Sequence, residues 1–236
     1  MEEIKNKKIS IILSTFNEEI AIEKTINEIQ KYIKNVEIIV VDDNSTDKTF
    51  EILKRLQNQN IKIFLRKKNK GLASAFLLGL INTQGDIIGW VDSNMTSIVK
   101  IFPEMIHNLE NNDIVILSRF VDGGKDERNM IRKWSSYILN KFTKFVLNSK
   151  INDLSSGIFV MNKKVLLDTL PIASGHGEFM IEFLYNAERR GNKIKEISYT
   201  QPVDEEGNSK SYPNIFKFSL LGFFYFIRIL QIFIRR

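Results

Sequence analysis

EIIVVDDNSTDKTFEIL, residues 37–53, contains the fold in miniature. After Glu37 the next four residues, Ile38, Ile39, Val40 and Val41, are apolar and β-branched, as suits a strand buried on both faces of a parallel sheet. DDNSTD (42–47) is wholly polar, and Phe50, Leu53 and Leu56 then mark one face of a helix. The same order repeats outward from this unit. ISIILS (9–14), IKIFL (61–65), DIIGWV (86–91) and DIVILS (113–118) read as strands. Ile22, Ile26, Ile29 and Ile33 mark one helix between them, and Ile98, Phe102, Met105 and Leu109 another. Alternation at this spacing means crossover units, so the expected fold class is α/β, a Rossmann-like, doubly wound, mostly parallel sheet.

Such a sheet binds ligands beyond the carboxyl ends of its strands. The segments at those positions are STFNEE (14–19), DDNSTD (42–47), RKKNKG (66–71), DSNMT (92–96) and SRFVDGG (118–124), all polar. Turns and helix caps use the same residue types, and Thr46 or Asp47 would serve as a cap for the next helix. Five polar loops on one edge nevertheless mark that edge as the place to look for a site. Neither a G-x-G-x-x-G after the first strand nor a G-x-x-x-x-G-K-[ST] occurs, so a nucleotide would be held by other means.

After residue 125 the alternation weakens. MIRKWSSYILNKFTKFVLN (130–148) reads as a basic amphipathic helix with Trp134, Ile138, Phe142 and Phe145 on its apolar stripe. SSGIFVM (155–161) and IKEISYT (194–200) read as strands, and GEFMIEFLYNAERRG (177–191) as a helix closed by glycine.

The bulk properties narrow the function. A chain of 236 residues, 43% hydrophobic and 26% charged, is globular and can bury a full core. It has no cysteine, which excludes disulfides and thiolate metal sites. With only His107 and His176 as imidazoles, a multi-histidine zinc site is not expected. The net charge of +6 suits anionic lipid or phosphorylated substrates. No nucleic-acid partner is expected, because no basic run is interleaved with stacking aromatics. The first residues, MEEIKNKKIS, lack the apolar core of a signal peptide.

Taken together, the loops resemble the family 2 inverting glycosyltransferases of GT-A fold, and among them the dolichol-phosphate mannosyltransferase-like enzymes. STFNEE is similar to that family's P-T-Y-N-E opening, with Ser14 in place of proline and Phe16 in place of tyrosine. VVDDNSTDKT resembles V-D-D-x-S-x-D-x-T, RKKNKGLASAFLLGL resembles the G-L-G-x-A segment, and DSNMT falls where D-A-D-x-Q is expected. SRFVDGG, IRKWSS, INDLSSGIF and EEGNSK are similar to S-R-Y-x-x-G-G, R-K-x-x-S, D-x-T-S-G-F and G-x-S-K. These eight segments are colinear between residue 9 and about residue 212.

The resemblance implies a division of labour. Ser14, Phe16 and Glu18 would lie by the nucleotide base and ribose, Val41 would contact the base, and Asp43 would accept from a base N–H. Asp92, Ser93, Asn94 and Thr96 would face ribose, metal and diphosphate. Arg119, Arg132 and Lys210 would contact phosphate groups, a task for which the guanidinium fork is suited. Asp92, Arg119 and Arg132 are thus the expected catalytic residues. Asp92 and Asn94 are the expected ligands of Mg²⁺ or Mn²⁺, weakly bound because Asn94 puts a neutral amide oxygen where the pattern has a carboxylate.

The expected reaction is transfer of a hexose from a nucleotide-sugar to a polyprenyl or dolichyl phosphate. Mannose from GDP-mannose is the first expectation and glucose from UDP-glucose the second. An acceptor phosphate is already anionic near neutral pH, so no general base is obligatory. His176, in SGHGE, is a tempting base but fits a glycine-lined loop beside the acceptor better. Two rival readings are a family 2 transferase with a glycan or protein hydroxyl as acceptor, which would need a base, and a non-catalytic sugar–nucleotide-binding module.

The tail, IFKFSLLGFFYFIRILQIFIRR, is apolar over only ten residues (218–227) before Arg228, and a clean bilayer span needs about 20. With Lys217, Arg228, Arg235 and Arg236 it reads as an amphipathic helix lying in the interface. A short tilted span and a helix packed on the core are the alternatives. The chain is accordingly read as a transferase domain (1–212) plus an interfacial helix (213–236), peripheral on the cytoplasmic face of an anionic membrane.

Overall fold

The computed structural model describes residues 7–68, 70–169, 175–203 and 215–235. The repeat seen around residue 37 builds β1 (Ile9–Thr15), α1 (Ile22–Tyr32), β2 (Glu37–Asp42), α2 (Thr49–Leu56), β3 (Ile61–Leu65), α3 (Leu72–Ile81) and β4 (Ile87–Trp90). A 3₁₀ turn (Thr96–Ile101) leads into α4 (Phe102–Asn108) and β5 (Ile114–Ser118). The second half holds β6 (Lys125–Asp126), α5 (Met130–Leu147), β7 (Phe159–Asn162), α6 (Leu166–Thr169), α7 (Phe179–Arg189), β8 (Ile194–Ser198), β9 (Thr200–Gln201) and α8 (Ile215–Ile234).

The seven-stranded sheet runs β3-β2-β1-β4-β7-β5-β8. β1, β2, β3 and β4 pair in parallel, as do β5 and β8, while β7 is antiparallel to both its neighbours. The sheet is therefore mostly parallel, and the strand expected over 155–161 is reduced to its second half. The chain winds from β1 out to β3 and then returns to the other side of β1 for β4. That reversal opens a crevice beyond the carboxyl ends of β1 and β4.

Alternate strand residues feed two core layers. Ile12, Ile39, Ile88, Trp90, Ile116 and Phe159 pack with Phe76 of α3 and with Phe179 and Phe183 of α7. Ile11, Leu13, Val40, Ile87, Val115 and Val160 pack on the opposite face with Ile22, Ile26 and Ile29 of α1 and Phe102 of α4. α3 can lie against β1 because of Gly79, where an added Cβ would sit 2.4 Å from the Ile12 Cγ2.

α5 and α8 depart from the expected pattern. The stripe of Trp134, Ile138, Phe142 and Phe145 on α5 does not enter the core, and Phe145 is 85% exposed. α8 packs on α5 and α7, burying Ile229 and Ile232 in the core while Phe223, Phe224 and Phe226 stay exposed. Arg228 is buried and its Nη1 donates to Glu182 Oε2 on α7 at 2.8 Å, so it is no interfacial cation as expected. A guanidinium held by a buried carboxylate on a neighbouring helix has no reason to reach for a membrane. The Lys217 side chain and Arg236 lie outside the described residues. Among the described residues no helix is long and apolar enough to cross a membrane.

Candidate active site

A cleft of about 950 Å³ opens at the crevice between β1 and β4. Ser14, Phe16, Glu18, Asp43, Asp92, Ser93, Asn94, Arg119 and Arg132 all line it. Val41 and Thr96 do not. Val41 is fully buried in the core, since a strand residue preceding the loop points into a layer and not past its end. Thr96 is buried too, its hydroxyl 2.6 Å from that of Thr25 on α1, and it serves to seat the 3₁₀ turn. Lys210 lies outside the described residues.

The loop after β2 divides its acids between two tasks. Asp42 is fully buried and accepts from Thr15 Oγ1, from the Ser45 N–H and from Ser45 Oγ. Asp47 accepts from the Thr49 and Glu19 N–H groups, so it does cap the start of α2. Those contacts outweigh the effect of burial and hold its carboxyl below the usual carboxylate range. Asp43 alone turns to the cleft. Its Oδ1 accepts from Arg66 Nε at 2.6 Å and its Oδ2 from the Gly71 N–H at 2.9 Å. Arg66 also donates to Ser74 Oγ and to the Gly71 carbonyl. Arg66 was not foreseen. Its polar position within RKKNKG was visible in sequence, but its partner across the sheet edge was not. Near Asp43 the Lys70 ammonium sits 5.7 Å from the centroid of the Phe16 ring, which is 44% exposed.

After β4 the chain turns within three residues. The Ser93 carbonyl accepts from Thr25 Oγ1 at 2.7 Å and the Asp92 carbonyl from the Met95 N–H at 3.0 Å. Ser93 is buried, whereas the side chains of Asp92 and Asn94 on either side of it meet the cleft. One carboxylate and one amide thus belong to the same turn on the cleft. No cluster of three or more acids, histidines or cysteines occurs among the described residues. Two hard oxygens fit Mg²⁺ or Mn²⁺ only in the mode that leaves most of the coordination shell to substrate phosphates and water.

Arg119, expected as a phosphate contact, is held by the protein itself. Its Nε and Nη2 form a two-pronged pair with Asp153 at 2.8 and 2.7 Å, and Nη2 also donates to Ser155 Oγ. Asp126 Oδ2 is 3.7 Å from its Nη1. Burial opposes the charge, but the carboxylates of Asp153 and Asp126 overcome it and keep the guanidinium charged. The short β6–β9 ribbon positions Asp126, which also takes both prongs of Arg128 at 2.9 and 2.6 Å. Burial would raise the Asp126 pKa, yet Arg128 brings it below the ordinary value. Arg128, Ser135 and Ser136 line the cleft and were not singled out from sequence. Arg132 stands in the first turn of α5, its N–H bonded to the Asn129 cap at 3.0 Å, where the helix dipole favours an anion.

The remaining wall is apolar and comes from the two outlying helices. Ile138, Leu139 and Phe142 of α5 and Leu221, Tyr225 and Phe226 of α8 line it. The Phe142 and Phe226 rings stack at 5.7 Å, joining the helices.

A doubly wound sheet with its cleft at the β1–β4 switch point has its site where open α/β sheets bind their ligands. Residues 10–170 match Glycosyl transferase family 2, and the chain belongs to that family. It is 30% identical to a dolichol-phosphate mannosyltransferase of Pyrococcus furiosus, over 86% of this chain and 59% of the relative. The chain thus spans about three-fifths of the length of that relative. It is 24% identical to an undecaprenyl-phosphate mannosyltransferase of Micrococcus luteus, over 86% of this chain and 87% of the relative. Among solved structures it is similar to glucosyl-3-phosphoglycerate synthase from Mycobacterium tuberculosis in complex with Mn²⁺, UDP and glucosyl-3-phosphoglycerate. There the TM-score is 0.76 and the identity 19%, with 97% of this chain and 80% of that chain covered. That likeness shows the fold, as expected from the strand order.

Proposed function

We propose that the protein transfers a hexose from a nucleoside-diphosphate sugar to a polyprenyl phosphate, with inversion at the sugar. The observation that carries this reading is the composition of the cleft, whose strand-end side is charged and whose far wall is apolar and continuous with the exposed faces of α5 and α8. A water-soluble acceptor would have no use for that wall. The likeness to the Pyrococcus dolichol-phosphate mannosyltransferase and the Micrococcus undecaprenyl-phosphate mannosyltransferase points the same way. Mannose from GDP-mannose is the first donor to test and glucose from UDP-glucose the second.

In this reading Phe16 stacks on the base, Asp43 accepts from a base N–H, and Asp92 with Asn94 faces the ribose and diphosphate. A divalent cation held by Asp92 and Asn94 would offset diphosphate charge. The acceptor phosphate has a second pKa of about 6, so at neutral pH it is largely a dianion and needs no base. One of its oxygens attacks the anomeric carbon while the bond from that carbon to the diphosphate oxygen breaks. Arg132 and the α5 N-terminus hold the attacking phosphate. Arg119, tied to Asp153, keeps the floor of the cleft charged and in place.

The exposed Phe223, Phe224 and Phe226 of α8, together with the exposed Trp134, Phe145, Lys133 and Lys141 of α5, would rest on an anionic membrane surface. The test is incubation of the full chain with each donor, Mn²⁺ and a polyprenyl phosphate in anionic vesicles. A lipid-linked hexose supports the proposal. Hydrolysis of the donor alone, or transfer only to a hydroxyl acceptor, would sink it.

A further inference from the structure

Two residues of α8 with hydroxyl side chains, Ser219 and Tyr225, line the cleft. Tyr225 lies deeper along the helix, amid Leu221, Gly222 and Phe226, which also line the cleft. We propose that the Tyr225 hydroxyl binds the phosphate of the acceptor, supplied to the cleft by the C-terminal helix. The inference rests on the polyprenyl-phosphate reading above and names a residue that neither the motifs nor the strand-end rule would select.

Three observations support it. The first is position. The hydroxyl is pressed against the N-terminal approach to α7, where a Cβ built on Gly177 would lie 2.3 Å from the Tyr225 oxygen. Gly177 and His176 also line the cleft, so the hydroxyl stands at the polar rim of the apolar wall, where a lipid phosphate must pass from tail-binding surface to charged floor. The second is rigidity. One and two turns of helix separate Tyr225 from Ile229 and Ile232, both buried in the core, and Arg228 is locked to Glu182 at 2.8 Å. A side chain so anchored donates without first being ordered. The third is charge state. Burial, then the nearby Glu178 carboxylate, push the phenol pKa far above its ordinary value. The group stays a neutral O–H, able to donate to a phosphate oxygen without repelling it. Asp92, Arg119 and Arg128 also act electrostatically on this hydroxyl, which places it in the field of the charged floor.

Phosphate oxygens come from two sources in this site, the acceptor and the donor diphosphate. α8 packs on α7 and on α5, whose first turn carries Arg132, and this favours the acceptor. A consequence is that the helix whose outer face would rest on the membrane also touches the reacting lipid, so docking and acceptor capture are mechanically one event.

The experiment compares the full chain with Tyr225→Phe, Gly177→Ala and the double variant, using citronellyl phosphate as a soluble acceptor. Removing one hydrogen bond to a charged group should raise the acceptor KM about tenfold. The maximal rate, the affinity for UDP and GDP, and the melting temperature should stay near those of the parent. Gly177→Ala should displace the hydroxyl and raise the same KM. In Tyr225→Phe the oxygen that a Cβ at 177 would strike is gone, so the double variant should be no worse than Tyr225→Phe alone. An unchanged acceptor KM overturns the proposal, as does loss of nucleotide affinity, which would move the contact to the donor. A parallel fall in melting temperature and both kinetic constants would assign Tyr225 to packing. An inactive parent would refute the transferase reading itself, a separate failure.

Discussion

The two walls of the cleft are built on opposite plans. The strand-end wall takes side chains from loops within residues 14–119, among them Asp43, steadied by hydrogen bonds from Arg66 and Gly71, and Arg119, steadied by Asp153. The helical wall takes apolar side chains from α5 and α8, more than seventy positions apart in sequence, and is steadied by ring stacking and by one buried ion pair. Charge therefore needs local polar support, because an unpaired buried carboxylate or guanidinium is costly. The apolar wall needs only shape and a fastening. Arg119 sits where the plans meet, charged like the first wall but bound to Asp153 from the second half of the chain.

The largest expected effect tests that position. Arg119→Ala leaves the fully buried Asp153 carboxylate without its partner and should destabilise the fold by about 3–5 kcal/mol. Arg132→Ala, in the first turn of α5, should leave thermal unfolding nearly unchanged while turnover falls about a hundredfold. Denaturation midpoints measured beside turnover separate the two. Equal behaviour of both variants would erase the distinction between a structural and a phosphate-binding arginine.

Next comes the fastening of the helical wall. Arg228→Ala leaves Glu182 with the more distant Arg235, at 3.5 Å, and should cost about 3 kcal/mol. Replacing the pair together, with Arg228→Met and Glu182→Leu, should recover most of that loss, since a buried pair exchanges well for apolar packing. A double variant as unstable as the single one would show that the pair does more than fasten. Deleting residues 215–236 should remove the wall and expose the core around Ile229 and Ile232, giving a chain that unfolds or aggregates.

A smaller effect belongs to Asp43. Asp43→Ala should weaken nucleotide binding by about 1–3 kcal/mol by calorimetry, because both a ligand contact and the support of Arg66 are lost. Unchanged affinity would make Asp43 a clamp on Gly71 and nothing more. The smallest change is expected at Asn94. Asn94→Asp would place a second charged oxygen beside Asp92, so half-maximal activity should be reached at a several-fold lower Mg²⁺ or Mn²⁺ concentration, with little change in maximal rate. Superimposable metal titrations would take Asn94 out of the metal site.

Much of the strand-end wall was legible before any coordinates. Strands and helices announce themselves by period, and the switch-point rule then selects the loops after them, so Phe16, Asp43, Asp92 and Asn94 were found together. Within those loops the prediction was coarser. Val41 and Thr96 were assigned to the site by the family resemblance, but the direction of each side chain decides its place. A side chain one position before a strand end points into a layer, and Thr96 turns inward to Thr25. The amphipathic character of the tail was also legible, though not which of its charges faces inward.

By itself, then, the sequence determined the strands and helices, the α/β class and the edge that carries polar loops, because those follow from hydrophobic period and from the order of elements along the chain. Only the tertiary structure decided that Arg119 is committed to Asp153, 34 residues away, and Arg228 to Glu182, 46 residues away. It likewise decided that Tyr225 reaches the cleft at Gly177. Such pairings are chosen by how packed layers meet, and a guanidinium or phenol carries the same local signal whether it faces water, a carboxylate or a substrate.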